Sequence, residues 1–296
     1  MDKVVDSNVK DLTFPQGVPW ANGVDCALIV AQLSHFDCGG IALSACLSHK
    51  IGDGSSASSF LRDWAALTRS SNTNPPSPYF VEDSMVSPVF GSDANKCVQK
   101  RFIFTRTKLT ALKLSIGVQN VTSNEAVSAL LYKCAASSAT IINSGMFKQS
   151  QLVQFSDIRG IISPPLPPNT IGNLLTDIRQ RGRAEVTKIK MLDAYKTGEE
   201  PFYKRKCDLY FSSSVCKFPF LQDLDFGFGR PIRSCFAKGP FNKSIYLMKT
   251  YDGGIEAFVN LNEHQMSVFQ HDKQLLEFAT PIDGDFCYEQ EQHYTR

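Results

Sequence analysis

His49 ends an apolar run and opens a turn with two glycines, in Ser48-His49-Lys50-Ile51-Gly52-Asp53-Gly54. A strand that runs into a glycine-rich turn can present an imidazole at the mouth of a cleft, and an imidazole is the natural general base near neutral pH. Asp53, four residues on, has two readings: it accepts a hydrogen bond from the ring, or it points away and braces the turn. By spacing alone the plainer reading of His49 is a histidine satisfied at a strand end. A His-x-x-x-Asp arises readily by chance in a chain with five histidines. His35-Phe36-Asp37 is a second such pair and reads as a feature of a hairpin turn.

The other segment with chemical content is Asp225-Phe226-Gly227-Phe228-Gly229-Arg230-Pro231. Glycines alternating with aromatics ahead of a proline describe a rigid loop. Nothing in it activates a nucleophile. An enclosed Asp225 would need a partner charge, and the expected partner is Arg159, far from His49.

The elements that must carry these residues follow from periodicity. Cys26 to His35 and Ile41 to Ser48 are apolar runs on either side of the turn Asp37-Cys38-Gly39-Gly40, which predicts a hairpin leading into His49. Ser55 to Thr68 has helical spacing, with Phe60, Leu61, Trp64 and Leu67 on one face. Residues 70–88 read as a surface loop, Lys100 to Thr105 as a strand and Thr107 to Lys113 as a short helix. Ser123 to Ala136 is a helix opened by a capping box of Thr122 and Glu125. A proline-rich segment at 163–170 marks a crossover. Beyond it, Thr176 to Tyr195 reads as a polar helix. Leu209 to Val215, Ser234 to Phe236, Ser244 to Met248 and Ile255 to Leu261 read as strands, and Glu263 to Ala279 as a closing helix. Strands and helices alternate without a glycine-rich phosphate loop, so the class is mixed α/β.

Composition narrows the function. The 296 residues carry a net charge of +2 with 20% charged residues, which lacks the basic bias of a nucleic-acid binder. No apolar run reaches the ~18 residues of a membrane helix, and the first ten residues lack a signal peptide's apolar core. The expectation is a soluble, cytoplasmic monomer that engages neither nucleic acid nor membrane. Nine widely spaced cysteines without a CxxC pair argue against a zinc cage or a disulfide framework. The expectation is no metal and free, mostly buried thiols.

Several motifs taken together resemble one family. Asp37-Cys-Gly-Gly-Ile-Ala-Leu-Ser, the His49-to-Gly54 turn, Phe60-Leu-Arg-Asp-Trp64 and the Asp225-to-Gly229 loop look like the marked regions of plant BAHD acyltransferases, with Phe228 where the family's loop has Trp. Pro19-Trp20, Ala126 to Cys134, Ile171-Gly-Asn-Leu174, Val215-Cys-Lys-Phe-Pro219 and Gly254-Ile-Glu-Ala-Phe match in family order. Within the family the sequence is similar to the alkaloid, capsaicinoid and acylsugar acyltransferases.

The resemblance implies two similar mixed-sheet α/β domains of the chloramphenicol-acetyltransferase-like type with a tunnel between them. The expected division is residues 1–162 with His49 and Asp53, and residues 163–296 with the Asp225 loop. It implies acyl-CoA as co-substrate, no permanently bound cofactor, and a small alcohol or amine as acceptor. His49 would remove the acceptor's proton, and no acyl-enzyme would form. Asp53, with Gly52 and Gly54, would support the site. Asp225, Gly227 and Gly229, with Arg159, would hold architecture, and Ser213 or Ser214 would face the oxyanion. Against full-length relatives the chain reads as shortened at the front and after Leu174, so that the first domain is incomplete. The alternative to an enzyme is a non-catalytic relative that binds acyl-CoA or a partner without turnover.

Overall fold

The predicted hairpin is present. The computed structural model describes residues 27–70, 74–81, 97–147, 149–179, 207–221, 223–236 and 242–282. In it β1 (Ile29–His35) pairs antiparallel with β2 (Ile41–Leu47). Gly39 turns the chain between them at φ +81°, a conformation that a side chain would strain. Ile29, Ala31 and Leu33 lie opposite Leu47, Ala45 and Leu43, so one face of the ribbon is apolar. That face is poorly covered: Ile29 is 36% and Leu33 46% exposed, and Ser44 is the one buried residue of the two strands.

β2 hands over through His49 to α1 (Gly54–Arg69), close to the bounds read from sequence. The helix does not bury the face that periodicity suggested. Its buried residues are Ser56, Ser58, Ser59 and Ala65, while Phe60, Leu61 and Trp64 are half-buried and Leu67 is 48% exposed. Close backbone approach, rather than apolar bulk, selects the buried side, as the hydrogen bonds below explain.

The bulk of the core belongs to a mixed sheet of seven strands. Its members are β4 (Cys97–Phe104), β5 (Ser150–Asp157), β7 (Leu175–Arg179), β8 (Asp208–Ser214), β9 (Ser244–Lys249), β10 (Ile255–Asn262) and β11 (Thr280–Ile282), in the order β11-β4-β10-β9-β8-β5-β7. A two-residue parallel pairing joins β3 (Tyr79–Phe80) to β6 (Thr170–Ile171). The seven-stranded sheet takes strands from both sides of residue 162, so a division placed there cuts through it.

One face of this sheet carries α2 (Arg106–Ile116), α3 (Ser123–Ile142), α4 (Glu263–Phe269) and α5 (Lys273–Phe278) over a core that includes Phe102, Phe104, Leu131, Leu247, Val259 and Phe269. The capping box of Thr122 and Glu125 opens α3 as read from sequence. The opposite face carries a smaller cluster of Val215, Met248 and Phe258, over which Phe218, Phe220 and Phe236 fold.

Three sequence expectations are corrected. The polar stretch read as a helix over 176–195 begins as strand β7, paired antiparallel with β5; residues 180–195 lie outside the described residues. Ser234 to Phe236 is not a strand. The closing helix is two short helices, because Asp272 accepts hydrogen bonds from the amides of Gln274 and Leu275 and starts a second one. Seven described cysteines are free, and of these Cys97 and Cys134 are buried and Cys38 is exposed; Cys26 and Cys287 lie outside the described residues. No helix among the described residues is long and apolar enough to cross a membrane.

Candidate functional site

His49 sits in the turn between β2 and α1, exposed to solvent. Its ring contacts Asn173, 124 residues away in sequence, in the segment that follows β6. The Asn173 side-chain amide donates to the His49 carbonyl, and Asn173 Oδ1 lies 3.5 Å from His49 Nδ1. A carbonyl only accepts, so the amide nitrogen faces it, which turns Oδ1 toward the ring. An amide oxygen only accepts as well, so the contact is a hydrogen bond in the tautomer that carries its proton on Nδ1, and in that tautomer Nε2 keeps its lone pair.

Asp53 takes the second of its two readings: it points away from the ring and braces the turn. It is the N-cap of α1, 1% exposed, and accepts from the Ser56 amide at 3.0 Å and the Leu174 amide at 2.9 Å. Arg159 meets it with two parallel bonds, Nη1 to Oδ2 at 2.8 Å and Nη2 to Oδ1 at 3.0 Å. The same guanidinium donates from Nε to the Thr170 carbonyl at 3.2 Å, from Nη2 to the Gly172 carbonyl at 3.0 Å, and from Nη1 to Asp157 at 3.0 Å. The donor positions of a planar guanidinium are thereby engaged, which is the condition under which a buried charge pair holds its place. Burial pushes the Asp53 carboxyl up, but the Arg159 bonds, the Ser56 amide and the Leu174 amide outweigh it and hold its pKa below the ordinary carboxylate value. The Arg159 pKa is raised: burial lowers it, and the Asp53 and Asp157 carboxylates prevail.

The glycines of the turn owe their places to crowding. A Cβ on Gly52 would come within 2.5 Å of Ser56 Cβ, and Ser56 Oγ is shared among Asp53, Arg159 and Gly172. A Cβ on Gly54 would stand 3.2 Å from Phe218 and 4.0 Å from Val215. Through Gly54 the start of α1 therefore rests on the open face of the large sheet.

The expected pairing of Asp225 with Arg159 is not formed. Arg159 serves Asp53, and Asp225 caps its own loop by accepting from the amides of Gly227 at 2.8 Å and Gly229 at 3.1 Å. The two glycines stand at φ +98° and +97°. A half-exposed carboxylate that caps amides needs no countercharge, and this is the physical reason the expectation failed. The loop still reaches α1, because the Phe226 ring meets Trp64 edge-on at 5.1 Å. Phe228, which replaces the family's Trp, is 61% exposed.

Strand alternation separates the two serine candidates. Ser212 and Ser214 face α3, where Ser128 Oγ lies 3.1 Å from Ser212 Oγ and the Asn124 amide donates to Ser214 Oγ at 2.9 Å. Ser213 lies on the other face, with Phe211 and Val215. Val215 is the residue that approaches Gly54, so Ser213 is on the sheet face that the start of α1 approaches and Ser214 is not.

Sequence reasoning does not reach the role of Asn173; its place in the Ile171-Gly-Asn-Leu174 motif is the signal the sequence offers, and in the structure its neighbours Gly172 and Leu174 bond through their backbone to Arg159 and Asp53. Among the described residues no three His, Cys, Asp or Glu side chains gather as a metal site requires.

The chain matches the Transferase family over residues 1–197 and 183–276. It is 38% identical to acyltransferase Pun1 of Capsicum frutescens over 94% of this chain and 73% of that protein. It is 35% identical to 17,18-epoxy-17-hydroxycur-19-ene N-malonyltransferase of Strychnos nux-vomica, over 94% and 68%. The crystal structure of vinorine synthase superposes with a TM-score of 0.72 at 26% identity, over 90% of this chain and 70% of that one.

Proposed function

Since the chain belongs to the plant BAHD acyltransferase family, we propose that it transfers an acyl group from acyl-CoA to a hydroxyl or amine of a small specialised metabolite, with His49 as general base. Its relatives are plant acyltransferases of specialised metabolism, and one is an N-malonyltransferase by name. The mixed α/β fold is the one these enzymes share.

The observation that supports the mechanism is the Asn173 amide, whose nitrogen donates to the His49 carbonyl and whose Oδ1 faces Nδ1 of an exposed imidazole; with the proton on Nδ1, Nε2 is the acceptor. In the proposed step Nε2 takes the acceptor's proton while its oxygen or nitrogen attacks the thioester carbonyl. The Ser213 hydroxyl donates to the oxyanion that develops. The carbon–sulfur bond then breaks, and coenzyme A leaves as the thiol, carrying the proton that His49 returns. No bond forms between acyl group and protein. Asp53 takes no proton in this scheme. It fixes the first turn of α1, and hence the position of the imidazole four residues earlier. The acyl-CoA and the acceptor are held transiently, and the working unit is a monomer.

One observation favours a binding-only reading as the second choice. The hairpin that leads to His49 buries little of its apolar face, and correct placement of a base depends on an ordered surround. Release of free thiol from acetyl-CoA in the presence of a panel of small alcohols and amines separates the two. The enzyme reading expects release by the wild type and its loss in His49→Ala at unchanged melting temperature. Equal rates in both proteins would remove His49 from the chemistry. Binding of acetyl-CoA without any release would leave the second reading standing.

A further inference from the structure

His49 and Ser213 belong to different parts of the molecule, and a close contact joins those parts. On the Ser213 side, the Val215 amide donates to the Leu247 carbonyl at 2.8 Å, which locks the end of β8 onto β9. The Phe218 amide donates to the Val215 carbonyl at 2.9 Å and closes a turn, so Phe218 has a fixed place relative to Ser213. Its half-buried ring folds over the cluster of Val215, Met248 and Phe258 and meets Phe220 edge-on at 5.8 Å.

On the His49 side, Gly54 is the first residue of α1. The neighbouring Asp53 amide donates to the Gly172 carbonyl at 3.2 Å, and the Asn173 side chain donates to the His49 carbonyl, so Gly54 and His49 share one anchored turn. The edge of the Phe218 ring lies against Gly54: a Cβ there would stand 3.2 Å from Phe218 Cε2 and 4.0 Å from Cζ. A methyl at this position would have to displace the ring or the turn by a few tenths of an ångström. A ring backed by Phe220 and the cluster gives little, so the turn would move.

The chemistry limits how far apart the two sides can stand. The acceptor atom that gives His49 its proton is the atom that attacks the thioester carbon. The oxygen that takes up the charge is bonded to that same carbon. A base and an oxyanion donor can reach both atoms at hydrogen-bond length only over a narrow range of separations.

We propose that Phe218 is a positioning residue for acyl transfer, setting the spacing between the His49 turn and Ser213 through the contact of its ring edge with the Gly54 backbone. The proposal rests on the acyl-transfer reading of His49 and Ser213, and it adds the residue that holds the two in register.

The test is a set of substitutions across this contact in the full chain. The readout is thiol release from acetyl-CoA with the small alcohol or amine that the wild type turns over fastest. Gly54→Ala, which leaves the ring and its cluster in place, should lower kcat about five- to tenfold with KM for acetyl-CoA within about twofold. Phe218→Leu, which removes the ring edge, should lower kcat by a similar factor. In the double variant the added methyl and the smaller side chain offset each other, and kcat should return to within about twofold of the wild type. Thr68→Ala, at an exposed position of α1, also raises helix propensity; added to Phe218→Leu it should recover nothing, which separates spacing from helix stability. Gly54→Ala carries the test alone if Phe218→Leu does not fold. Wild-type kcat in Gly54→Ala, multiplied losses in the double variant, or recovery by Thr68→Ala would overturn the positioning role, and His49-dependent release by the wild type would leave the acyl-transfer reading intact. No His49-dependent release by the wild type would overturn both.

Discussion

β1 and β10 are both apolar strands, seven and eight residues long, yet their fates differ. Seven residues of β10 are buried and none of β1 is. β10 has strands on both edges and helices over one face, whereas β1 has β2 and an exposed apolar side. A lone two-stranded ribbon is marginal in water. The histidine proposed to do the chemistry is nevertheless at the end of the weaker ribbon. What holds its turn is a set of directional bonds that join His49 and Asp53 to Arg159, Asn173 and Leu174, so that polar anchoring positions the site where packing is thin.

The largest effect should come from cutting the anchor. Asp53→Ala leaves the Arg159 guanidinium buried without its main counter-ion and should cost about 3–5 kcal/mol in urea unfolding. A loss below about 1 kcal/mol would mean that the hairpin supports the turn after all. A core deletion in the sheet, Phe258→Ala, should cost a comparable 3–5 kcal/mol, since that side chain is fully buried. Leu33→Ala in the hairpin should cost under about 1 kcal/mol, and similar losses at the two sites would erase the contrast.

Acid sharpens the same contrast. The Asp53 pKa is lowered in the folded protein, so its contribution is present above the ordinary aspartate value of about 3.9 and is lost as pH falls through the lower folded value. The stability difference between wild type and Asp53→Asn should therefore be constant near neutrality and shrink below about pH 4. A difference that grows on acidification would reverse the assignment. A modest effect belongs to the well-packed region: Thr122→Ala removes the capping box of α3 and should cost about 1 kcal/mol by thermal melting.

The sequence made visible what depends on nearest neighbours along the chain. The hairpin, the His49 turn, the capping box of α3 and the strands β8 to β10 follow from alternation and turn chemistry that act over ten residues or fewer. Choices made by distant partners were hidden. Asp53 and Asp225 are both acids within two residues of a glycine, and local pattern cannot say which of them Arg159 will take. The decision lay in whether backbone amides already satisfied the carboxylate, as Gly227 and Gly229 do for Asp225. β7 was misread because an edge strand needs only one neighbour and carries little apolar signal. The buried face of α1 departs from the apolar one because its buried residues include Ser56, which faces the closely approaching Gly172 backbone, and hydrophobic periodicity does not register serines.

The claim that a lightly packed turn is held ready by polar anchoring is tested most directly by a kinetic cycle on His49 and Asn173, with thiol release as the readout. His49→Ala should lower kcat by roughly 10²–10⁴-fold, the usual worth of a positioned general base. Asn173→Ala should lower kcat by about tenfold with little change in KM for acyl-CoA, because it acts through the ring's tautomer and orientation. If Asn173 works only through His49, the double variant should be no slower than His49→Ala alone. Multiplied losses in the double variant, or a His49→Ala protein as fast as the wild type, would contradict the account.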